Sequence, residues 1–197
     1  NGLVTQCYNV MMLVDLIRRW IRYMPNALLT GASTGFGVEL REELERNDYT
    51  VEVIPRFVLP ALEPGYNARL KEYDLVFFNH HYMPEEFDHK SYEMNCLVPL
   101  HILKSITLLP NAKVGWMVSK GIGAHFMPQY SPYFAFKSVN LHIMRYLAHK
   151  EKDIYFGIEP GHLVKQSWKT TANCIVKMLD SVESGNVYNL NGSVSGL

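Results

Sequence analysis

The chain has 197 residues, of which 48% are hydrophobic and 19% are charged, and this length suits one domain with one sizeable core. Its 19 Lys and Arg residues balance 19 Asp and Glu residues without blocks of like charge, which argues against a nucleic-acid partner. No apolar run approaches the roughly 20 residues that cross a bilayer, so we expect no membrane span.

Cysteine usage bears on the compartment. The cysteines are odd in number, far apart and in apolar or helical surroundings, namely Cys7, Cys96 and Cys174. This pattern predicts reduced packing residues rather than a disulfide framework or a metal site. We therefore expect a soluble cytoplasmic protein without a bound metal ion.

Residues 1–24 are predicted to form an N-terminal amphipathic helical extension. Its arginines lie mainly off one helical face, on which apolar side chains recur: Val10, Leu13, Val14, Ile17 and Ile21. Such a helix can touch a membrane surface. Docking on the protein's own core or on a second subunit is the more ordinary role, and it is the one we expect.

After Met24, short β-rich runs alternate with longer stretches of helical period. Strands are predicted at residues 27–30, 50–54, 74–79, 113–119, 154–160 and 186–190. Helices are predicted at 35–46, 67–73, 86–109, 132–149 and 169–183. Strands joined by helices indicate an α/β fold, a Rossmann-type doubly wound parallel sheet with helices on both faces. Residues 25–197 are expected to form this single domain.

The segment TGASTGFG, residues 30–37, crowds three glycines into the turn after the first strand. In a doubly wound sheet that turn lies at the carboxyl edge, where ligands bind. Glycine lets the backbone approach a phosphate, and the start of the next helix offers free N–H groups. The segment thus predicts a site for a nucleotide pyrophosphate, although glycine-rich turns also serve merely as turns.

The segment SPYFAFK places Tyr133 in the first turn of a helix and Lys137 one turn later on the same face. Ser131 suits the N-cap, and Pro132 suits the first helical position. An ammonium near a phenol stabilises the phenolate, so the pair predicts a lowered pKa for Tyr133 and a role in proton transfer. A solvated ion-phenol pair on a helix surface is the structural alternative.

Together, TGASTGFG and SPYFAFK resemble the short-chain dehydrogenase/reductase family. Three further matches follow in the family's order: Asn95 in YEMNCLVPL, Ser119 at the end of VGWMVS, and Pro160-Gly161 in GIEPGHLV. The resemblance extends from about Asn26 to the C-terminal SGNVYNLNGS. It therefore covers the whole chain except the N-terminal extension.

This resemblance implies hydride transfer between a nicotinamide ring and a carbonyl or secondary alcohol. Tyr133 would act as general acid or base, while Lys137 would bind the nicotinamide ribose and lower the pKa of that tyrosine. Asn95 would support a water-mediated proton relay, and Ser119 would hydrogen-bond the substrate oxygen. The resemblance implies cofactor contacts from Gly31, Ser33, Thr34, Gly35, Phe36, Gly37, Asn79, Lys137, Pro160 and Gly161.

The end of the second strand distinguishes the two nicotinamide cofactors. Strand TVEVI ends at Pro55-Arg56, so an arginine stands where an acidic side chain would bind the ribose 2′-hydroxyl of NAD. Glu52 comes too early in the strand to reach the ribose. Arg56 therefore favours NADP over NAD, although it can also be a solvated charge at a strand end.

Several positions depart from the family pattern. Residues 78–81 read FNHH, which puts bulky His80 and His81 where small residues usually leave room for the adenosine side of the cofactor. Ser119 stands one residue farther from the catalytic tyrosine than is commonest, so either the loop is longer or Lys120 has replaced the serine. Lys165 takes the place of a threonine expected near the carboxamide.

Only seven residues separate Pro160-Gly161 from the helix predicted to begin at Lys169, far fewer than a substrate lid usually needs. We therefore expect an open, shallow site in an NADP-preferring oxidoreductase. A catalytically idle nucleotide-binding or interaction protein is the alternative. The helices of Asn95 and Tyr133 carry surplus apolar residues, which predict a homodimer or homotetramer: Leu97, Leu100, Leu103, Val139, Ile143 and Leu147.

Overall fold

The computed structural model describes residues 24–55, 72–80, 87–119, 131–161 and 163–195. Apart from Met24, the predicted N-terminal extension lies outside these ranges, as do Arg56, His81 and Lys120. The described residues form a six-stranded sheet in the order β2-β1-β3-β4-β5-β6. Its strands are β1 (Asn26–Thr30), β2 (Thr50–Ile54), β3 (Glu72–Phe78), β4 (Thr107–Met117), β5 (Ile154–Glu159) and β6 (Val187–Asn189).

All five strand pairings in this sheet are parallel. Strand β1 lies between β2 and β3, so the chain changes direction across the sheet at β1. This is the topological switch point, at whose carboxyl edge ligands bind in doubly wound sheets. The predicted Rossmann-type α/β fold is confirmed.

Helices cover both faces of the sheet. One face carries α1 (Phe36–Arg46) and α5 (Trp168–Met178), the latter flanked by 3-10 turns at Lys165–Ser167 and Leu179–Ser181. The other face carries the remaining helical segments: α2 (His89–Tyr92), a π-helical turn at Glu93–Leu97, α3 (Val98–Ser105) and α4 (Ser131–Lys150). No helix in the described ranges combines the length and apolarity that a membrane span needs.

Strand β1 shows how the two cores are divided. Ala27 and Leu29 belong to the apolar cluster beneath α1 and α5, whereas Leu28 belongs to the cluster beneath α3 and α4. All three side chains are fully buried. Alternate residues of a strand face opposite sides of a sheet, so a strand covered on both sides is apolar throughout.

The helix predicted at 86–109 ends earlier than expected, at Ser105. Residues 107–109 belong instead to β4, where Thr107 pairs with Glu72 and Leu108 with Tyr73. The helical period continues past Ser105 in the sequence, but parallel pairing with β3 decides the conformation. Glu72 and Tyr73, predicted at the end of a helix, are strand residues for the same reason, and residues 67–71 lie outside the described ranges.

Candidate active site

The glycine turn packs tightly against the first residues beyond β3. Gly31 has a φ of 68°, and a Cβ there would lie 2.7 Å from the backbone of His80. A Cβ on Gly37 would overlap the carbonyl oxygen of Gly31. Both positions therefore require glycine, since only hydrogen lets the helix start approach the strand so closely.

Gly35 lies in more open surroundings than Gly31 and Gly37. It adopts a φ of 63° and precedes the first residue of α1, Phe36. Ser33, Thr34 and Gly35 are exposed, whereas Phe36 and Gly37 are buried. The start of α1 is thus open on the side where its N–H groups and the positive end of its dipole could meet an anion.

Asn79 and His80, directly after β3, tie the turn to its neighbours. The Asn79 amide donates to the carbonyl oxygen of Gly31 over 2.9 Å. The His80 ring lies between two elements, with Nδ1 2.6 Å from the Thr30 hydroxyl and Nε2 3.0 Å from the Met94 carbonyl oxygen. Because a carbonyl only accepts, Nε2 carries a proton, and in the neutral ring Nδ1 accepts from Thr30.

This geometry shows how the polar ring of His80 in FNHH is held. Both of its ring nitrogens bond to the protein between β1 and the π-helical turn. Its backbone N–H also lies 3.3 Å from the Thr30 hydroxyl. His80 therefore joins Thr30, at the start of the glycine turn, to the π-helical turn.

Asn95 lies within the π-helical turn and is buried. Its amide donates to the carbonyl oxygen of Ser91 over 3.0 Å. Single π-turns interrupt an α-helix where a side chain competes for backbone hydrogen bonds, and asparagine is suited to such competition. Upstream, the Asp88 carboxylate accepts from the Ser91 N–H at 2.6 Å, which caps α2. Hydrogen bonds from the side chain and the backbone of Ser91 lower the pKa of Asp88.

Lys137 projects from α4 into the protein and is only 4% exposed. Its Nζ donates to the carbonyl oxygen of Met117, the last residue of β4, over 2.7 Å. Burial lowers the pKa of Lys137 to about 8, with a smaller opposing contribution from Cys96. Burial raises the pKa of the Cys96 thiol to about 11.

Tyr133 and Ser119 meet at the carboxyl end of β4. Their side chains are hydrogen-bonded, and this bond lowers the pKa of the Tyr133 phenol, although burial raises it by more. Nζ of Lys137 lies 5.7 Å from the centroid of the Tyr133 ring. The structure thus brings these three predicted residues together, while Lys120, the other candidate for the serine position, lies outside the described residues.

The direction of the Tyr133 pKa is opposite to the one that the tyrosine-lysine spacing predicts. Two observations explain the difference. The phenol is largely withdrawn from water, which disfavours its anion. The ammonium of Lys137 donates to the Met117 carbonyl oxygen, and burial lowers its own pKa to about 8.

Pro160 and Gly161 follow β5 at the same edge of the sheet. Gly161 is exposed with a φ of 68°, and among the described residues no atom lies within 4 Å of a Cβ placed on it. Just before them, the buried Glu159 accepts from the Ser195 hydroxyl at 2.6 Å, which fastens the C-terminal segment beside the site. Lys165 is exposed at the start of a 3-10 turn.

Sequence reasoning placed His80 at this edge but missed its bridging hydrogen bonds, and it missed Glu159 and Trp168. Glu159 had a usable signal, because polar residues at the end of a parallel strand lie at the ligand-binding edge. Trp168 had none, since it reaches the edge through a contact with a residue distant in the chain.

No protein-family model matches the chain, and no curated protein matches it by sequence. Solved structures resemble it over most of its length. A carbonyl reductase from Pseudomonas aeruginosa PAO1 has a TM-score of 0.66 at 14% identity, with 88% of this chain and 100% of that chain covered. A short-chain dehydrogenase/reductase from Brucella melitensis has a TM-score of 0.65 at 15% identity, with 87% and 97% covered.

A third similar structure contains a cofactor. It is a protein assigned as a short chain dehydrogenase from Escherichia coli CFT073, complexed with NADPH, with a TM-score of 0.65 at 18% identity and with 84% of this chain and 96% of that chain covered. The chain therefore has the fold of short-chain dehydrogenases/reductases, as its two motifs predict.

Proposed function

We propose that the protein is an NAD(P)-dependent oxidoreductase that transfers hydride between a nicotinamide cofactor and a carbonyl or secondary alcohol. The observation that carries this proposal is the hydrogen bond between Ser119 and Tyr133, formed beside the buried ammonium of Lys137. These side chains lie at the same edge of the sheet as the glycine turn. Proton-transfer groups and a phosphate-binding turn are the two parts that such a reaction needs.

The residues at this edge fit a dinucleotide. The exposed Ser33, Thr34 and Gly35 leave the start of α1 accessible to a pyrophosphate, while Asn79 holds the turn from behind. Pro160 and Gly161 offer backbone near the catalytic residues. When bound, the nicotinamide cofactor would supply the hydride for reduction or accept it in oxidation.

The chain's own residues would carry out the proton transfer. In reduction, the Tyr133 phenol donates its proton to the carbonyl oxygen, and the Ser119 hydroxyl hydrogen-bonds the same oxygen as negative charge develops there. The Lys137 ammonium, mostly protonated at neutral pH with a pKa of about 8, then stabilises the phenolate. Asn95 shapes the helix next to this lysine and supports proton return from solvent.

NADP is the cofactor we propose, with NAD as the alternative, because Arg56 follows β2 where a 2′-phosphate would lie. A catalytically idle nucleotide-binding protein remains the second candidate function. Two observations favour it: the raised pKa of Tyr133, and the lysine at position 165 where a threonine is expected.

Titration of the purified protein with NADPH and with NADH, followed by calorimetry, separates these possibilities. We expect NADPH to bind more tightly, and Arg56→Ala to remove most of the difference by deleting a charge-assisted contact. Arg145→Ala, at an exposed position of α4, serves as the matched control. Cofactor binding without reduction of any aldehyde, ketone or quinone in a panel would favour the idle protein, and no binding of either cofactor would refute the oxidoreductase.

A further inference from the structure

Trp168 occupies an unusual position for the first residue of a helix. Its indole reaches across from α5 to the glycine turn, where Cη2 lies 3.7 Å from the position of a Cβ on Gly35. Among the described residues beyond the turn itself, no other atom comes within 4 Å of that position. The edge of the indole therefore lies over the exposed side of the start of α1.

Three contacts hold Trp168 there. Helix α5 packs on α1, and the Asn173 amide donates to the Glu43 carboxylate over 2.9 Å. Leu163 and Trp168 both pack against the apolar cluster under these two helices. The position of Trp168 is thus set by helix packing, independently of any ligand.

The segment before Trp168 is a short turn held by its own hydrogen bonds. The backbone N–H and the hydroxyl of Ser167 donate to the carbonyl oxygen of Val164 over 2.9 and 2.8 Å. Residues 162–167 connect Gly161 to Trp168, so this connection is too short to form a separate lid. Within the described ranges, α5 is the element that places a side chain beside Gly35.

We propose that Trp168 is the cover of the phosphate-binding turn and a determinant of dinucleotide affinity. This inference rests on the proposed function. An apolar ring beside Gly35 shields the N–H groups at the start of α1 from water, and hydrogen bonds from those groups to a phosphate are stronger where water is excluded. The half-buried indole, held rigidly by α5, closes over the pyrophosphate without the ordering of a mobile lid.

The first test compares Trp168→Ala with Trp168→Phe and with Asn173→Ala. Calorimetric titration with NADPH should give a dissociation constant raised by about tenfold for Trp168→Ala, and the faster release should appear in stopped-flow displacement of NADPH. Trp168→Phe should keep most of the parent's affinity for NADPH, because a phenyl ring retains the apolar cover. Asn173→Ala should lower the thermal midpoint with a smaller loss of affinity than Trp168→Ala, since it removes one contact that positions α5 but keeps the indole.

The second measurement uses tryptophan emission, which the chain's three tryptophans share, and assigns the signal of Trp168 by comparing variants. Acrylamide quenching of tryptophan emission should fall when ADP-ribose binds, because the pyrophosphate closes the open side of the indole. This protection from quenching should vanish in Trp168→Phe. It should persist in Trp116→Phe, which removes a tryptophan buried in the other core.

The outcomes distinguish the two proposals. Equal NADPH affinity in the parent and Trp168→Ala, or a loss of affinity in Asn173→Ala as large as in Trp168→Ala, would overturn the covering role alone. A parent protein that binds neither NADPH nor NADH would overturn the covering role together with the proposed function. Tighter binding by Trp168→Ala would show that the indole obstructs the turn and would also overturn the inference.

Discussion

Nζ of Lys137 lies 2.7 Å from the carbonyl oxygen of Met117, so the ammonium of α4 is anchored at the point where β4 ends. The bond joins the helix that carries Tyr133 to the strand that leads into Ser119. Lys137 consequently contributes to the geometry of the site as well as to its charge. Removing the Lys137 side chain should therefore affect both cofactor binding and turnover.

Tyr133→Phe should abolish turnover and leave NADPH binding nearly intact, because the phenol is required chiefly in the transition state. Lys137→Ala should lower both turnover and NADPH affinity. It removes a positive charge beside the cofactor and the hydrogen bond that joins α4 to the end of β4. The assay is loss of NADPH absorbance with small aldehydes, ketones and quinones, beside calorimetric binding. Tyr146→Phe, on the exposed side of the same helix, is the control. A fully active Tyr133→Phe protein would contradict the mechanism.

Ser119→Ala should lower kcat by about a hundredfold, because a donor to the developing oxyanion typically contributes that much. Lys120→Ala should change kcat little if the Ser119 side chain bonds both Tyr133 and the substrate oxygen. Single-turnover kinetics with saturating NADPH measure the chemical step in both variants. A larger loss in Lys120→Ala than in Ser119→Ala would move the oxyanion contact to residue 120.

The fold was largely predictable because its signals are local. Apolar runs, turn residues and helical periods indicated the strands and helices, and the alternation of the two element types predicted the parallel sheet. The error at residues 107–109 arose where a helical period extended into β4, because the pairing of Thr107 with Glu72 joins residues far apart in the chain. No local pattern contains that partner.

The site was predictable where spacing alone decides, as for Tyr133 and Lys137 on one helical face. The pKa of Tyr133 was predicted in the wrong direction because burial depends on the packing of the whole domain. The bridge made by His80 and the position of Trp168 over Gly35 depend on tertiary contacts in the same way. Sequence therefore indicated the chemical groups, and packing decided their environment.

The buried lysine predicts a pH dependence of stability. The pKa of Lys137 is lowered from 10.5 to about 8 on folding, so between these values the unfolded chain binds more protons than the folded protein. The free energy of unfolding should therefore rise with pH from about 8 upward through this contribution. Above pH 9, Cys96 opposes it, because its pKa is raised from 9.0 to about 11.

Urea denaturation at pH 7, 8 and 9 measures this effect against the variant Lys137→Met, which keeps the length of the side chain and lacks the charge. The difference in unfolding free energy between parent and variant should shift in the parent's favour as the pH rises. A difference independent of pH would show that Lys137 titrates near its ordinary value.

Exposed apolar residues of α2 and α4 support our proposal of a homodimer or homotetramer. Val139 and Tyr146 on α4 are 39% and 61% exposed, and Tyr92 at the end of α2 is 44% exposed. Light scattering at micromolar concentration should give at least twice the monomer mass. Tyr146→Glu should shift the protein toward monomer by burying a charge in the interface, whereas Lys150→Glu near the helix end should not. A monomeric parent would contradict the proposal.

The bridge from Thr30 through His80 to Met94 should stabilise the glycine turn. Thr30→Val removes the hydrogen bond between the Thr30 hydroxyl and Nδ1 of His80 while the volume of residue 30 is retained. We expect the free energy of unfolding to fall by about 1 kcal/mol, the typical net contribution of one hydrogen bond. Urea denaturation measures the loss, with the exposed Thr107→Val as control.

Because His80 packs beneath Gly31, NADPH should also bind more weakly to Thr30→Val. Unchanged stability and affinity would mean that the bridge contributes nothing to the turn.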